Sequence, residues 1–173
     1  TLFRVVIGTA LNLVFTITLS YGLSREGLKG RTFLTGFVFF TMLFSGGMIP
    51  TFILVKGVGL IDSRWAMVLP CLINTWNLLI MRNFFYGIPK SLEEAAVIDG
   101  ANDAQVLVKI VLPLSKASIA TIGLFYAVSH WNAWFDAMLY INTTALLPMQ
   151  NILRNIITAA SSIGDLGAEA YNS

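Results

Sequence analysis

The residues best equipped for chemistry lie close together near the end of the chain. They are His130, Asn132 and Asp136, interleaved with Trp131, Trp134 and Phe135. A histidine beside an aspartate could work as an acid–base pair. On one continuous helix, however, six positions turn His130 and Asp136 about 120° away from a shared face. Trp131, Trp134, Phe135 and Met138 stand at i, i+3, i+4 and i+7, which is one helical face. An aromatic face with amides and a carboxylate beside it suits sugars, which stack a C–H face and offer hydroxyls. The competing reading is an aromatic belt at the outer membrane interface, where tryptophan is enriched. Asn74 and Asn77 are further polar candidates; they either join the same path or bond between helices.

Other chemistries are poorly supplied. No Gly-x-x-x-x-Gly-Lys-Ser/Thr run is present, so the chain is not expected to hold ATP as a P-loop does. No His/Cys cluster has metal-ligand spacing, and neither a metal nor a cofactor is expected. The single cysteine, Cys71, lies in an apolar run and reads as a small packed residue. Catalysis within the chain is not expected. The rival from another class is an intramembrane enzyme using His130 and Asp136.

A second polar region runs from Arg82 to Lys116. Ser91-Leu92-Glu93-Glu94 fits a capping box, with Ser91 as N-cap and Glu94 at N3. Pro89 keeps the preceding chain from continuing as helix. The helix so begun, Leu92 to Asp99, should stop at Gly100, a residue that takes positive φ readily. Asn102 or Asp103 can cap a second helix through Val106, Leu107, Ile110 and Val111, which Pro113 ends or kinks. Two short helices meeting at a glycine elbow are expected. The small side chains of Ala95 and Ala96 would let another surface approach closely. The alternative is an interfacial connector that merely turns the chain.

These groups must be positioned by membrane helices. The chain has 173 residues, 56% hydrophobic and 12% charged, with mean hydropathy +0.75. That is about half the charged fraction of a soluble domain, ~25%. Between the charge clusters lie uncharged runs of about 17 to 24 residues, enough to cross a ~30 Å hydrocarbon core as helix. Four spans are predicted, over 5–23, 32–55, 65–81 and 117–140, with a bend near Gly46–Pro50. Lysine and arginine number seven in the two loops after spans one and three, against four on the other side. The positive-inside rule then places the loop over about 87–113 in the cytoplasm and the tail, 141–173, outside. In that tail Leu147-Pro148 and Gly164-Asp165 predict irregular structure or short helices. A net charge of +2, without a basic block interleaved with aromatics, excludes a nucleic-acid surface. The apolar run after Arg4 is too long for a signal peptide, and the chain is expected to be part of something longer.

The loop carries a resemblance. Glu94-Ala95-Ala96-Val97-Ile98-Asp99-Gly100-Ala101, followed by Ile110-Val111-Leu112-Pro113-Leu114, resembles the EAA motif of ABC importer permeases. Phe44-Ser45-Gly46-Gly47-Met48-Ile49-Pro50-Thr51, Gly59-Leu60, Trp65-Ala66 and the segment His130 to Asp136 are similar to the carbohydrate-uptake branch, the oligosaccharide permeases of the LplC/MalG type. One departure is Ala117, where many members carry a second proline. The resemblance implies an all-α polytopic transmembrane bundle with the MetI-like fold of type I importers. It implies that Glu94, Ala95, Ala96, Asp99, Gly100 and Pro113, flanked by Glu93 and Ala101, form a coupling helix seated in a cytoplasmic ATPase. Members usually have six spans, so the four here would be the second through fifth. The implied partners are an ABC ATPase dimer carrying ATP and Mg, a second homologous permease subunit, an extracellular solute-binding protein, a carbohydrate and the lipid membrane. A permease for a non-sugar solute is the alternative within the class. A structural scaffold would leave the Glu94–Gly100 pattern unexplained.

Overall fold

The uncharged run after Arg4 contains no proline, and it forms the longest apolar helix among the described residues. In the computed structural model, which describes the backbone of residues 1–172 and the side chains of 1–161, a π-helical turn Arg4–Gly8 leads directly into α1 (Thr9–Ser24). Together they make 21 residues, the one helix among the described residues that is by itself long and apolar enough to cross a membrane. Asn12, Thr16 and Ser20 recur every four residues along α1, so they share one face, and all three are buried. Each bonds to a different neighbour. Asn12 Nδ2 donates to the Cys71 carbonyl (3.1 Å), the Thr16 and Tyr126 hydroxyls pair at 2.8 Å, and Ser20 Oγ donates to the Leu78 carbonyl (2.9 Å). Such bonds between membrane helices contribute about 0.6 to 2 kcal/mol each. They fasten α1 to α4 (Thr75–Tyr86) and α8 (Lys116–Asn132).

The region predicted as a second span is two helices, α2 (Arg31–Leu43) and α3 (Met48–Gly57), bent by 109°. The turn falls at the Gly46–Pro50 segment but is far sharper than a kink. Gly47 takes φ +86°, which a side chain would resist, and Pro50 sits in the first turn of α3, where its missing N–H is not needed. Residues 65–81 do not form one helix. Two 3-10 turns, Arg64–Met67 and Leu69–Cys71, precede α4, which starts ten residues later and continues past Met81 to Tyr86. Pro70 favours the short turn, and Asn74 caps α4 by accepting from the Asn77 N–H at 3.1 Å.

After Pro89 come α5 (Lys90–Ile98) and α6 (Asp103–Val106), then a π-helical turn Leu107–Val111 and α7 (Leu112–Leu114). The stretch Asp103–Leu114 meets α8 at 83°, with Ser115 buried at the corner. Val106 and Val111 are fully buried against Tyr21, Met81, Phe85 and Ile122, which makes the inner core. The last predicted span, 117–140, is likewise interrupted: α8 stops at Asn132, Ala133 is extended (ψ 124°), and α9 (Phe135–Tyr140) follows. The tail is neither irregular nor made of short helices only. Beyond a 3-10 turn Thr144–Leu146, α10 runs Met149–Asn172 and passes through 164–165. Ile152, Leu153, Ile156 and Ile157 repeat at helical spacing there, a periodicity that outweighs isolated turn residues.

Candidate functional site

One end of α1 builds a charged cluster. Arg4 is buried, at 3% exposure, and a charge in that position needs partners. Its Nε donates to His130 Nδ1 at 3.2 Å. Nη1 donates to Asp136 Oδ1 at 2.9 Å and more weakly to the Ala133 carbonyl at 3.4 Å, and Nη2 pairs with Asp136 Oδ2. This is the two-pronged arginine–carboxylate geometry, among the strongest side-chain contacts. His130 Nδ1 accepts a proton's bond and is therefore unprotonated, so the neutral ring carries its hydrogen on Nε2. The six-residue separation of His130 and Asp136 was counted along one helix. Because the helix breaks between them, both converge on Arg4 instead. The guanidinium stands between the two groups, so His130 and Asp136 are each held by Arg4 rather than joined as an acid–base pair.

Beside this cluster opens a cavity of about 850 Å³. It is lined by Asn74, Asn77, Asn132, Trp134, Phe135 and Asp136, all anticipated from sequence, which are drawn together from three segments. Trp131 is not in the lining and lies 42% exposed elsewhere. The aromatic face 131, 134, 135 and 138 is therefore split by the break. Trp134 is held under the Arg154 guanidinium, 3.9 Å from the ring centroid, and edge-on to Phe135. Sequence reasoning missed Arg4, Asn12 and Trp76 in this wall. Asn12 could have been found from its four-residue repeat with Thr16 and Ser20. Arg4 had no local signal, because its partners lie more than 120 residues away.

The other end of α1 builds the loop site. Here α5 begins at Lys90, one residue before the predicted N-cap, so Ser91 lies inside the helix and the Ser91–Glu94 capping box does not form. The capping box appears eleven residues later. Asn102 Oδ1 accepts from the Gln105 N–H (2.9 Å), while Gln105 Oε1 accepts from the Asn102 N–H (3.0 Å). At the C-terminus Gly100 takes φ +86°, Ala101 N–H bonds to the Ala96 carbonyl (2.9 Å) and Gly100 N–H to the Val97 carbonyl (3.0 Å). That pair of bonds is a Schellman motif, the stop expected of a glycine at this position.

The predicted coupling residues divide between two faces. Glu93, Ala96 and Ala101 are half-buried, with the two alanines packed on the inner core. Glu94, Ala95, Asp99 and Gly100 are exposed, beside Ile98 at 85% exposure, and Pro113 is exposed in α7. Glu93 is held by Arg25, which also binds Asp103 and lies 5.1 Å over the Tyr21 ring. Lys90 pairs with Glu26. The contact holds the Glu26 carboxyl below its ordinary range and raises the Lys90 ammonium above its own. Between α5 and the end of α1 lies a second cavity of about 890 Å³.

Comparison with known proteins shows the family and the fold. Residues 12–164 match the family described as "Binding-protein-dependent transport system inner membrane component". The chain is 54% identical over 165 residues to the polygalacturonan/rhamnogalacturonan transport system permease protein YtcP of Bacillus subtilis, covering 95% of this chain and 58% of that protein. It is 52% identical over 155 residues to Protein LplC of the same organism, covering 90% and 52%. The chain thus spans just over half the length of these relatives. Among solved structures it is similar to a bacterial ABC transporter involved in the import of the acidic polysaccharide alginate, with TM-score 0.87, 39% identity, and coverage of 89% of this chain and 55% of that one. The all-helical, MetI-like permease fold anticipated from the Glu94–Pro113 motif is the observed one. The chain belongs to the binding-protein-dependent transport system inner membrane component family.

Proposed function

We propose that this chain is the core of a permease subunit of an ATP-driven carbohydrate importer in the bacterial cell membrane. The observation that carries the reading is the division of α5. Glu94, Ala95 and Ile98 are free for a partner, while Glu93 and Ala96 tie the same helix to the bundle. A helix exposed on one side and anchored on the other can pass a push inward. In this reading Glu94, Ala95, Asp99 and Gly100 face a cytoplasmic ATPase dimer, which carries the ATP and Mg. Pro113 braces the second half of the loop. Glu93 ties the helix to the end of α1 through Arg25. The positive-inside count over 25–31 and 82–116 supports the cytoplasmic side for this end. A second homologous permease subunit completes the path, and an extracellular binding protein delivers the cargo.

Cargo is taken to be an oligosaccharide, an extension from the named cargoes of YtcP and of the alginate importer. The cavity supports it with amides from Asn74, Asn77 and Asn132 for hydroxyls and with Trp76, Trp134 and Phe135 for C–H faces. Asp136 also lines the cavity, its carboxylate fixed by Arg4 with lone pairs left over to accept a sugar hydroxyl. The test uses full-length protein assembled with its ATPases and binding protein in proteoliposomes. Replacing Glu94 with Ala, or Gly100 with Val, should leave membrane insertion intact and ATPase turnover measurable while uptake of an oligogalacturonide is lost. Uptake at the wild-type rate in both variants would remove the coupling role.

A further inference from the structure

Of the described glycines, Gly8 in the first helix leaves the least room for a side chain, because the imidazole of His130 lies against it. A Cβ built on Gly8 would stand 2.7 Å from His130 Nε2 and 3.0 and 3.1 Å from the adjacent ring carbons. No side chain fits there unless the ring moves, and ring movement in a packed interior is resisted. Gly8 follows Arg4 by four residues, so both face the same side of the helix, toward 130–136.

Arg4 reaches across the interruption of the helix on that side. Its Nε bond is to His130, in the last turn of α8, and its Nη bonds are to Asp136, in the first turn of α9. A further contact falls on the Ala133 carbonyl in the gap itself. One planar group thus fixes both banks of the break, and the imidazole it grips is seated against bare backbone. The break is also where Trp134 and Phe135 enter the cavity wall. A continuous helix over 117–140 would place these rings according to its own 3.6-residue period.

We infer that Arg4 and Gly8 are positioning residues whose joint grip on His130 and Asp136 keeps the α8–α9 interruption open and so holds Trp134 and Phe135 in the cavity wall. The functional consequence rests on the cavity being the sugar path; the structural one does not. Charge alone cannot do this work. Lysine at position 4 keeps the charge but lacks the planar fork, and its three donors cannot meet all four acceptor atoms on His130, Ala133 and Asp136 in these directions.

The test uses the assembled transporter with every cysteine except Cys71 replaced by serine. Cys71 is exposed and lines the same cavity, so its labelling rate by a small maleimide reads the wall directly. Arg4→Lys and Gly8→Ala are compared with wild type for Cys71 labelling, ATPase co-purification and oligogalacturonide uptake. In both variants labelling should change about fivefold or more, and uptake should fall about tenfold or more, within the ~100-fold loss that an ångström of misplacement can cause. Co-purification should be unchanged. Arg4→Lys decides the matter even where Gly8→Ala fails to assemble. Labelling of Arg4→Lys within about twofold of wild type overturns the inference, because charge alone would then suffice. A wild-type assembly that takes up no oligosaccharide, with labelling still altered in Arg4→Lys, defeats the sugar reading and leaves the positioning role standing.

Discussion

The two ends of α1 solve the same problem in different solvents. Each carries one arginine that joins the helix to acidic groups distant in sequence, Asp136 for Arg4 and both Glu93 and Asp103 for Arg25. The Arg4 side chain is 4% exposed and that of Arg25 26%. A buried charge pair is costly to break, since either partner left alone remains in low dielectric. A pair open to water exchanges its partner for solvent at little cost. The Arg4 end is thereby a fixed piece of architecture, and the Arg25 end is a joint. On the functional reading, that is the useful arrangement: the joint lies where an ATPase would push, and the fixed end lies where cargo would be met.

The sharpest way to break this contrast is at Arg4. Arg4→Ala should destabilise the purified full-length protein by about 3–5 kcal/mol in detergent unfolding, because Asp136 is left unpaired. The double variant Arg4→Ala/Asp136→Ala should be less damaged than either single one. Additive losses would mean that the pair is not the source of the effect. At the other end, Arg25→Ala should cost about 1 kcal/mol or less, and the loss should shrink further as salt is raised toward ~1 M. A loss as large as that of Arg4→Ala would erase the distinction between joint and fixed end. The smallest effect is expected at Asp62, an acidic group in the open. Its carboxyl accepts from the Thr143 hydroxyl (2.6 Å) and from the Thr143 and Asn142 N–H groups (2.8 and 3.0 Å). The Thr143 hydroxyl bond does most to hold it below its ordinary value of 3.8. Folded lies below unfolded, so this contribution is complete above the ordinary value and is lost as pH falls through the lowered one. Amide exchange at Asn142 and Thr143 should therefore become acid-sensitive below the ordinary value, and Asp62→Asn should abolish that sensitivity.

Legibility in the sequence followed the range of the interaction. Gly100 as a helix stop, and the turn between Gly46 and Pro50, are local backbone chemistry, and both were readable. So were Asn74, Asn77, Asn132, Trp134, Phe135 and Asp136 of the cavity wall, because their types are unusual inside apolar runs. The capping box was placed at Ser91 although Asn102-x-x-Gln105 fits the same pattern; a helix beginning at Lys90 leaves Ser91 inside its first turn, and the box forms at the start of the next helix instead. The interruption at Ala133 carries no glycine or proline. It exists because Arg4 binds both sides of it, a contact spanning 132 positions that no local rule contains. Hydropathy alone drew 65–81 as one span, whereas Pro70 and the Asn74 cap, both visible, divide it.

The contact between Gly8 and His130 has a consequence for how this protein can vary. Two positions 122 apart in the chain share a single volume, so neither drifts alone. A chain that gains a methyl at position 8 must shed bulk at position 130. A smaller residue at 130 in turn forfeits the acceptor that holds the Arg4 Nε. Substitutions at 4, 8 and 130 should therefore be inherited as a set, and a swap of any one of them between related proteins should fail where transplanting all three succeeds.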